Sequence, residues 1–153
     1  PALATRQVLG VYDKSLTQTM AKVLSKLGSE HVMVVHGEDG MDEISISSPT
    51  AVTELKNKTI TTYTIKPADF GLDLADLKTI QVENAEASKA MMLNVLKGGQ
   101  GPHRNITILN AGAAIYISGI SSTLKEGIEK AASVIDQGLA LKKLEALKVA
   151  SHG

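Results

Sequence analysis

The pattern of hydrophobic and polar positions in the first 36 residues predicts a strand, a helix and a second strand. Arg6–Tyr12 has the residue types of a strand, and Ser15–Leu27 carries apolar residues at helical spacing. The apolar face of this helix comprises Leu16, Met20, Val23, Leu24 and Leu27. His31–His36 is almost continuously apolar, as expected for a strand covered on both faces. This order predicts a right-handed βαβ unit with two parallel strands.

Three segments rich in β-branched residues follow, and they predict an antiparallel patch. These segments are Ile44–Ser48, Ala51–Lys56 and Thr59–Ile65. The residues Lys56-Asn57-Lys58-Thr59 between the last two segments favour a hairpin turn. The sequence thus predicts an α/β fold in which a partly parallel sheet carries an antiparallel hairpin patch.

The remainder of the chain, rich in Ala, Leu and Lys, predicts helices that flank this sheet. Asn84 can cap a helix that runs to about Lys97, and Ile106–Ile120 predicts a buried helix. Thr123 with Glu126 forms a capping box, as Ser15 with Gln18 does for the first helix. Spaced leucines predict a last helix: Leu141, Leu144 and Leu147.

Composition narrows the possible functions. Sixteen Lys and Arg balance sixteen Asp and Glu, so no strong field attracts nucleic acid or an anionic membrane surface. The chain has no cysteine, which excludes disulfides, thiolate zinc sites and cysteine nucleophiles and is compatible with the cytoplasm. The most apolar stretch, Ile106–Ile120, is shorter than the roughly 20 residues that a membrane span requires. We therefore expect neither nucleic acid nor membrane as a partner.

An acidic loop follows the predicted apolar strand and is the most concentrated chemical signal in the sequence. Residues 36–43 read HGEDGMDE, with four carboxylates within six positions and two glycines. Ligands collect beyond the carboxyl ends of parallel strands, and such carboxylates suit Mg²⁺. Asp42 and Glu43 are adjacent, so a shared metal requires irregular backbone there. The alternative is a solvated acidic turn, because two charges 4 Å apart in water repel by only about 1 kcal/mol.

Other candidate groups favour structural interpretations. The glycine-rich residues 97–102 lack the ending of a phosphate-binding P-loop, and no nucleophile elbow occurs, so we predict no catalytic residue in this chain. His31 and His103 are expected to be structural or surface groups, whereas His36 borders the acidic loop. Asn110 interrupts the predicted buried helix, where a satisfied hydrogen bond is a better explanation than ligand contact.

Four motifs, in this order and spacing, resemble the carboxyl-terminal part of the anthranilate phosphoribosyltransferase family. They are HGEDGMDEIS at residues 36–45, DFGL at 69–72, the Asn-Ala-Glu that begins at Asn84, and GPHRNITILNAGAA at 101–114. The resemblance implies a glycosyltransferase of tryptophan biosynthesis that transfers phosphoribosyl from 5-phosphoribosyl diphosphate to anthranilate and releases pyrophosphate. It also implies that Asp42 and Glu43 hold Mg²⁺.

The same resemblance implies that residues 1–153 are only the carboxyl-terminal portion of the family's α/β domain. The family's diphosphate loop and anthranilate-contacting arginine have no counterpart in this sequence. We therefore expect an incomplete sheet, a missing amino-terminal part as partner, no turnover by this chain alone, and a cytoplasmic homodimer when the protein is complete.

Two other functions are compatible with the residues. A pyrimidine nucleoside phosphorylase has a related fold and also breaks a bond at an anomeric carbon. A non-catalytic α/β interaction module would carry the acidic loop as a solvated surface turn.

Overall fold

The computed structural model describes residues 4–152 of the chain, and its centre is a four-stranded sheet. The strands are β1 (Arg6–Gly10), β2 (His31–Gly37), β3 (Thr50–Lys56) and β4 (Thr59–Ile65), and they lie in sequence order across the sheet. β1 and β2 are parallel, whereas the β2–β3 and β3–β4 pairs are antiparallel. The partly parallel sheet with an antiparallel patch is therefore confirmed.

Helices cover the sheet and form the remainder of the described chain. They are α1 (Leu16–Lys26), α2 (Ala85–Leu96), α3 (Pro102–Ser118), α4 (Leu124–Asp136) and α5 (Leu139–His152). Two short 3₁₀ turns, Pro67–Phe70 and Leu77–Ile80, connect β4 to α2. None of the helices within the described residues is both long and apolar enough to cross a membrane.

The core lies on both faces of β2, as its apolar run predicts. Val32 and Val34 pack with α1 residues, while Met33 and Val35 pack with residues of α3 and α4. All four side chains are at most 1% exposed. Burying a side chain of this size contributes roughly 1.5–3 kcal/mol to folding. These two clusters fix β2, and with it the loop that leaves its carboxyl end.

Several local predictions are confirmed. Asn57 and Lys58 have φ values of 50° and 64°, the left-handed pair that a two-residue hairpin turn needs. The Asn84 side chain accepts a hydrogen bond from the Ala87 N–H at 2.8 Å and caps α2. The Thr123 hydroxyl caps α4 in the same way.

The predicted strand at Ile44–Ser48 is wrong. This segment is irregular, and Ile44 and Ile46 are buried to 2% and 0% exposure. The Ser45 hydroxyl accepts hydrogen bonds from the Ser47 and Ser48 N–H groups, a local pattern that replaces ladder pairing. The two isoleucines that favoured a strand are instead buried in the core, on a backbone without regular secondary structure.

Two predictions for α1 also need correction. The Ser15 side chain forms no capping hydrogen bond, and the Asp13 carboxylate accepts from both the Ser15 N–H and the Ser15 hydroxyl at 2.8 Å. Val23 and Leu27, predicted on the buried face, are 42% and 77% exposed. The sheet contacts the face of α1 that carries the buried Ala21.

Candidate functional site

The acidic loop lies across the carboxyl ends of both parallel strands. It leaves β2 after Gly37, and the Gly37 N–H donates to the Met41 carbonyl at 2.8 Å. A Cβ atom added to Gly10, the last residue of β1, would lie only 1.5 Å from the Asp42 carbonyl oxygen. The backbone of Asp42 therefore lies directly against the end of β1. The predicted position of the loop, at the sheet edge where ligands of such folds collect, is confirmed.

Two of the four loop carboxylates are used within the protein. Glu38 accepts a hydrogen bond from the Lys14 ammonium at 3.4 Å. Asp39 accepts hydrogen bonds from the Ser45 and Ser47 hydroxyls and from the Met41 N–H. Partial burial alone would raise the pKa of Asp39, but these donors outweigh burial and lower the pKa below its usual value. Asp39 is an ionised structural group that ties the loop together.

Asp42 and Glu43 differ from their two neighbours in the loop. Both side chains are exposed, and no hydrogen bond or ion pair among residues 4–152 involves either carboxylate. Adjacent residues of a regular strand point to opposite faces of the sheet and could not share a metal ion. The backbone at Asp42 and Glu43 is irregular, so this restriction does not apply to them. The pair is thus free to accept a ligand.

The chemistry of this pair fits Mg²⁺. Within the described chain no group of three or more His, Asp or Glu side chains is arranged to hold a metal. Mg²⁺ commonly takes only one or two carboxylates and completes its shell with water and substrate phosphates. Two exposed, unpaired carboxylates at a sheet edge are a donor set of that kind.

His36 lies near the end of β2, beside the acidic loop, and forms a hydrogen bond to the residue that follows β1. Its Nδ1 donates to the Val11 carbonyl at 2.8 Å, and the Val11 N–H donates to the Val35 carbonyl at 3.0 Å. These bonds hold the continuation of β1 against β2. The nearby Asp13 has a lowered pKa, chiefly because it accepts from the Ser15 N–H and hydroxyl.

Asn110 confirms the structural interpretation and adds a contact that the sequence could not identify. Its Oδ1 accepts from the Ile44 N–H at 2.9 Å, and its Nδ2 donates to the Ile44 carbonyl at 2.9 Å. Ile44 directly follows Glu43, so α3 holds the backbone of the acidic loop through this one side chain.

An apolar cleft of about 320 Å³ adjoins the acidic pair. Glu43 lines it together with residues of the 77–82 segment, α2 and α3, including Ile80, Met91 and Met92. His103, another lining residue, is half-buried, and its Nε2 is enclosed without a hydrogen-bond partner. The side of the loop that carries Glu43 is therefore bordered by hydrophobic surface.

A buried polar network lies toward the opposite end of the sheet. Glu54, 7% exposed, accepts hydrogen bonds from His31 Nε2 at 2.8 Å, Tyr63 OH at 2.7 Å and Tyr116 OH at 2.8 Å. The Lys56 ammonium donates to the Tyr116 hydroxyl at 3.0 Å. Burial would raise the pKa of Glu54, but its three donors lower the value overall. The structural interpretation of His31 is confirmed, whereas Glu54 was not identified from the sequence.

A cleft of about 660 Å³ beside this network does not have the features of an anion site, although basic residues line it. Arg6 is paired with Glu30 at 3.2 Å and also donates to the Ile117 carbonyl at 3.2 Å. The last turns of α1 and α3 end at this cleft, and helix carboxyl ends carry partial negative charge. Arg6 thus compensates negative charge that Glu30 and the end of α3 already provide.

The chain is similar to known proteins along almost its entire length. The family described as "Glycosyl transferase family, a/b domain" matches residues 1–141. An anthranilate phosphoribosyltransferase from Methylobacillus flagellatus is 54% identical over 99% of this chain and 45% of its own length. The corresponding protein of Thioalkalivibrio sulfidiphilus is 50% identical over 96% of this chain and 44% of its own length. The chain thus spans less than half the length of these relatives.

Solved structures give the same result. The anthranilate phosphoribosyltransferase of Thermus thermophilus matches with a TM-score of 0.80 and 33% identity, over 90% of this chain and 40% of that one. The Saccharomyces cerevisiae enzyme in complex with PRPP and Mg matches with a TM-score of 0.79 and 30% identity, over 92% and 41%. The resemblance found in the sequence motifs is confirmed. The chain belongs to the glycosyl transferase family, and its residues 1–141 match the α/β domain of that family.

Proposed function

We propose that this chain is part of an anthranilate phosphoribosyltransferase. The reaction transfers the phosphoribosyl group from 5-phosphoribosyl diphosphate to the amine of anthranilate and releases pyrophosphate, in tryptophan biosynthesis. The names of relatives at 50% and 54% identity support this substrate pair, as does the solved structure of the yeast enzyme with PRPP and Mg. Within the family, these matches favour this reaction over that of a nucleoside phosphorylase.

The observation that carries the proposal is the contrast within the acidic loop. Glu38 and Asp39 have partners inside the protein, whereas Asp42 and Glu43 are exposed and unpaired at the ends of β1 and β2. Holding an uncompensated pair of adjacent carboxylates in an ordered loop has no benefit for folding. It has a clear benefit for binding a divalent cation.

The chemistry of the reaction gives these residues their role. As the anomeric bond breaks, positive charge develops on the sugar and negative charge on the departing pyrophosphate. Bound Mg²⁺ supplies charge neutralisation for that leaving group. Asp42 and Glu43 would hold the cation at the sheet edge. Positioning of both substrates then accounts for the rate without a covalent nucleophile, in agreement with the absence of a catalytic side chain in our predictions.

The rest of the site belongs to a part of the protein outside this sequence. We propose that residues 1–153 form the carboxyl-terminal portion of the α/β domain and that an amino-terminal portion supplies the diphosphate and anthranilate contacts. On this proposal the 153-residue chain alone has no turnover. The complete enzyme would be a cytoplasmic homodimer.

The test is the double substitution Asp42→Asn with Glu43→Gln in the protein as its gene encodes it. It removes both charges and keeps the shapes of the side chains. We expect product formation at limiting Mg²⁺ to fall at least about tenfold, because loss of even the groups that orient metal ligands commonly costs 10- to 100-fold. Stability should change by no more than about 0.5 kcal/mol, since exposed, unpaired carboxylates contribute little to folding.

Glu38→Gln is the matched control, because Glu38 is an exposed carboxylate of the same loop with a partner in Lys14. It should leave the Mg²⁺ dependence unchanged. If the double variant has wild-type activity at every Mg²⁺ concentration, the acidic pair has no catalytic role and the loop is a solvated turn.

A further inference from the structure

Glu43 is held between two fixed peptide groups. The peptide group before it contains the Asp42 carbonyl, which lies close against Gly10. A Cβ atom added to Gly10 would overlap this carbonyl oxygen. The peptide group after it contains the Ile44 N–H, which donates to Asn110 Oδ1 at 2.9 Å. The loop forms no ladder hydrogen bonds at this point, so these two contacts constrain the backbone from which the Glu43 side chain extends.

Asn110 is well suited to hold the loop without moving. Its Nδ2 donates both to the Ile44 carbonyl at 2.9 Å and to the Ile106 carbonyl of its own helix at 3.1 Å. Both amide protons and the amide oxygen are therefore used, which fixes the orientation of the side chain. The Ile44 side chain, 2% exposed, anchors the same residue in the core. The loop is thus joined to α3 at a point adjacent to the acidic pair.

We propose that Asn110 is a positioning residue for the metal site, which acts by holding the Glu43–Ile44 peptide and so the geometry of the Asp42 and Glu43 carboxylates. This inference rests on the proposed function of that pair. Asn110 bonds the N–H and the carbonyl of Ile44, the residue after Glu43, and acts on the acidic pair through that backbone. Its contribution is to hold two exposed acidic side chains in one arrangement before the cation arrives.

The experiment compares Asn110→Leu, Asn110→Ala and wild type in the protein as its gene encodes it. Leucine has a similar volume and removes both bonds to Ile44, and alanine removes them without added bulk. Mn²⁺ binding, followed by electron paramagnetic resonance, should weaken about 10- to 100-fold in both variants. The Mg²⁺ concentration for half-maximal activity should rise in parallel, while kcat at saturating Mg²⁺ changes much less.

Two control variants separate positioning from general loss of stability. Asn105→Leu makes the same change on α3 at a residue whose side chain forms no hydrogen bond within the described residues. Ile117→Val reduces packing at a buried position of the same helix. Both should bind Mn²⁺ within about twofold of wild type, because neither side chain forms a hydrogen bond with the loop within the described residues.

Hydrogen exchange of the Ile44 amide tests the same contact in the unmodified protein. The amide should be protected before any metal is added, and an Ile44 amide that exchanges rapidly in the metal-free protein would overturn the inference. Folded Asn110 variants with wild-type Mn²⁺ affinity would also overturn it. If Asp42→Asn with Glu43→Gln leaves Mn²⁺ binding unchanged, the proposed function and this inference both fail. If that double variant loses Mn²⁺ while Asn110→Leu keeps it, only the role of Asn110 fails.

Discussion

The two ends of the sheet use carboxylates in opposite ways. Toward the amino end of β2, Glu54 is buried and accepts three hydrogen bonds. At the carboxyl end, Asp42 and Glu43 are exposed and unpaired among the described residues. A buried charge must be compensated by groups inside the protein. An exposed charge is solvated by water and stays available to a ligand. The comparison shows that burial and partners, rather than residue type, distinguish a structural carboxylate from a candidate binding group.

The strongest test of this contrast makes the same substitution at both ends. Glu54→Ala should lower the free energy of unfolding by about 3 kcal/mol or more, because it leaves a buried histidine and two tyrosine hydroxyls without their acceptor. Glu43→Ala should change stability by no more than about 0.5 kcal/mol. Urea denaturation of the two variants measures the difference. Equal losses of stability would show that the two carboxylates do not have the different roles assigned to them.

A smaller effect is expected where β1 meets the acidic loop. Gly10→Ala places a Cβ against the Asp42 carbonyl, with which it would overlap at 1.5 Å, so one backbone must move. We expect a loss of about 1–3 kcal/mol in stability, as for other overpacked sites. Mn²⁺ affinity should also fall, because the acidic pair moves with the Asp42 peptide.

Tyr12→Ala is the control for this change, because Tyr12 lies just beyond β1 and is 80% exposed. It should leave stability within about 0.5 kcal/mol of wild type. A Gly10→Ala variant with unchanged stability and metal affinity would mean that the loop relaxes without cost and that its position at β1 is not fixed.

The sequence predicts the scaffold of the molecule better than its polar contacts. The apolar run of β2 and the Asn57-Lys58 turn depend on local residue types, and both are confirmed. The position of the acidic loop at a strand end was predicted for the same reason. The strand predicted at Ile44–Ser48 was wrong because β-branched residues indicate burial in the core as well as pairing in a sheet. Periodicity does not separate these two cases.

The contacts that define the two ends of the sheet were beyond sequence reasoning, because they join distant residues. Asn110 contacts Ile44 across 66 positions, and Tyr116 contacts Glu54 across 62. A glutamate within a predicted strand rich in β-branched residues was the one signal for the Glu54 network. The sequence could indicate that such a group needs partners, but only the fold identifies them.

The smallest expected effect concerns pH and the structural carboxylate of the acidic loop. The pKa of Asp39 is lowered in the folded protein, so its stabilising contribution is complete above its ordinary value of 3.8 and is lost as the pH falls through the folded value. Asp39→Asn should therefore cost about 1.5 kcal/mol at pH 7, through weaker hydrogen bonds from Ser45 and Ser47. The difference between wild type and variant should shrink as the pH falls below 3.8. Denaturant unfolding between pH 7 and pH 3 measures it, with Glu38→Gln as an exposed control from the same loop. A loss of stability in Asp39→Asn that stays constant over this range would mean that the serines do not require an ionised Asp39. The contrast between Asp39, which has partners inside the protein, and the unpaired Asp42 and Glu43 would then no longer hold.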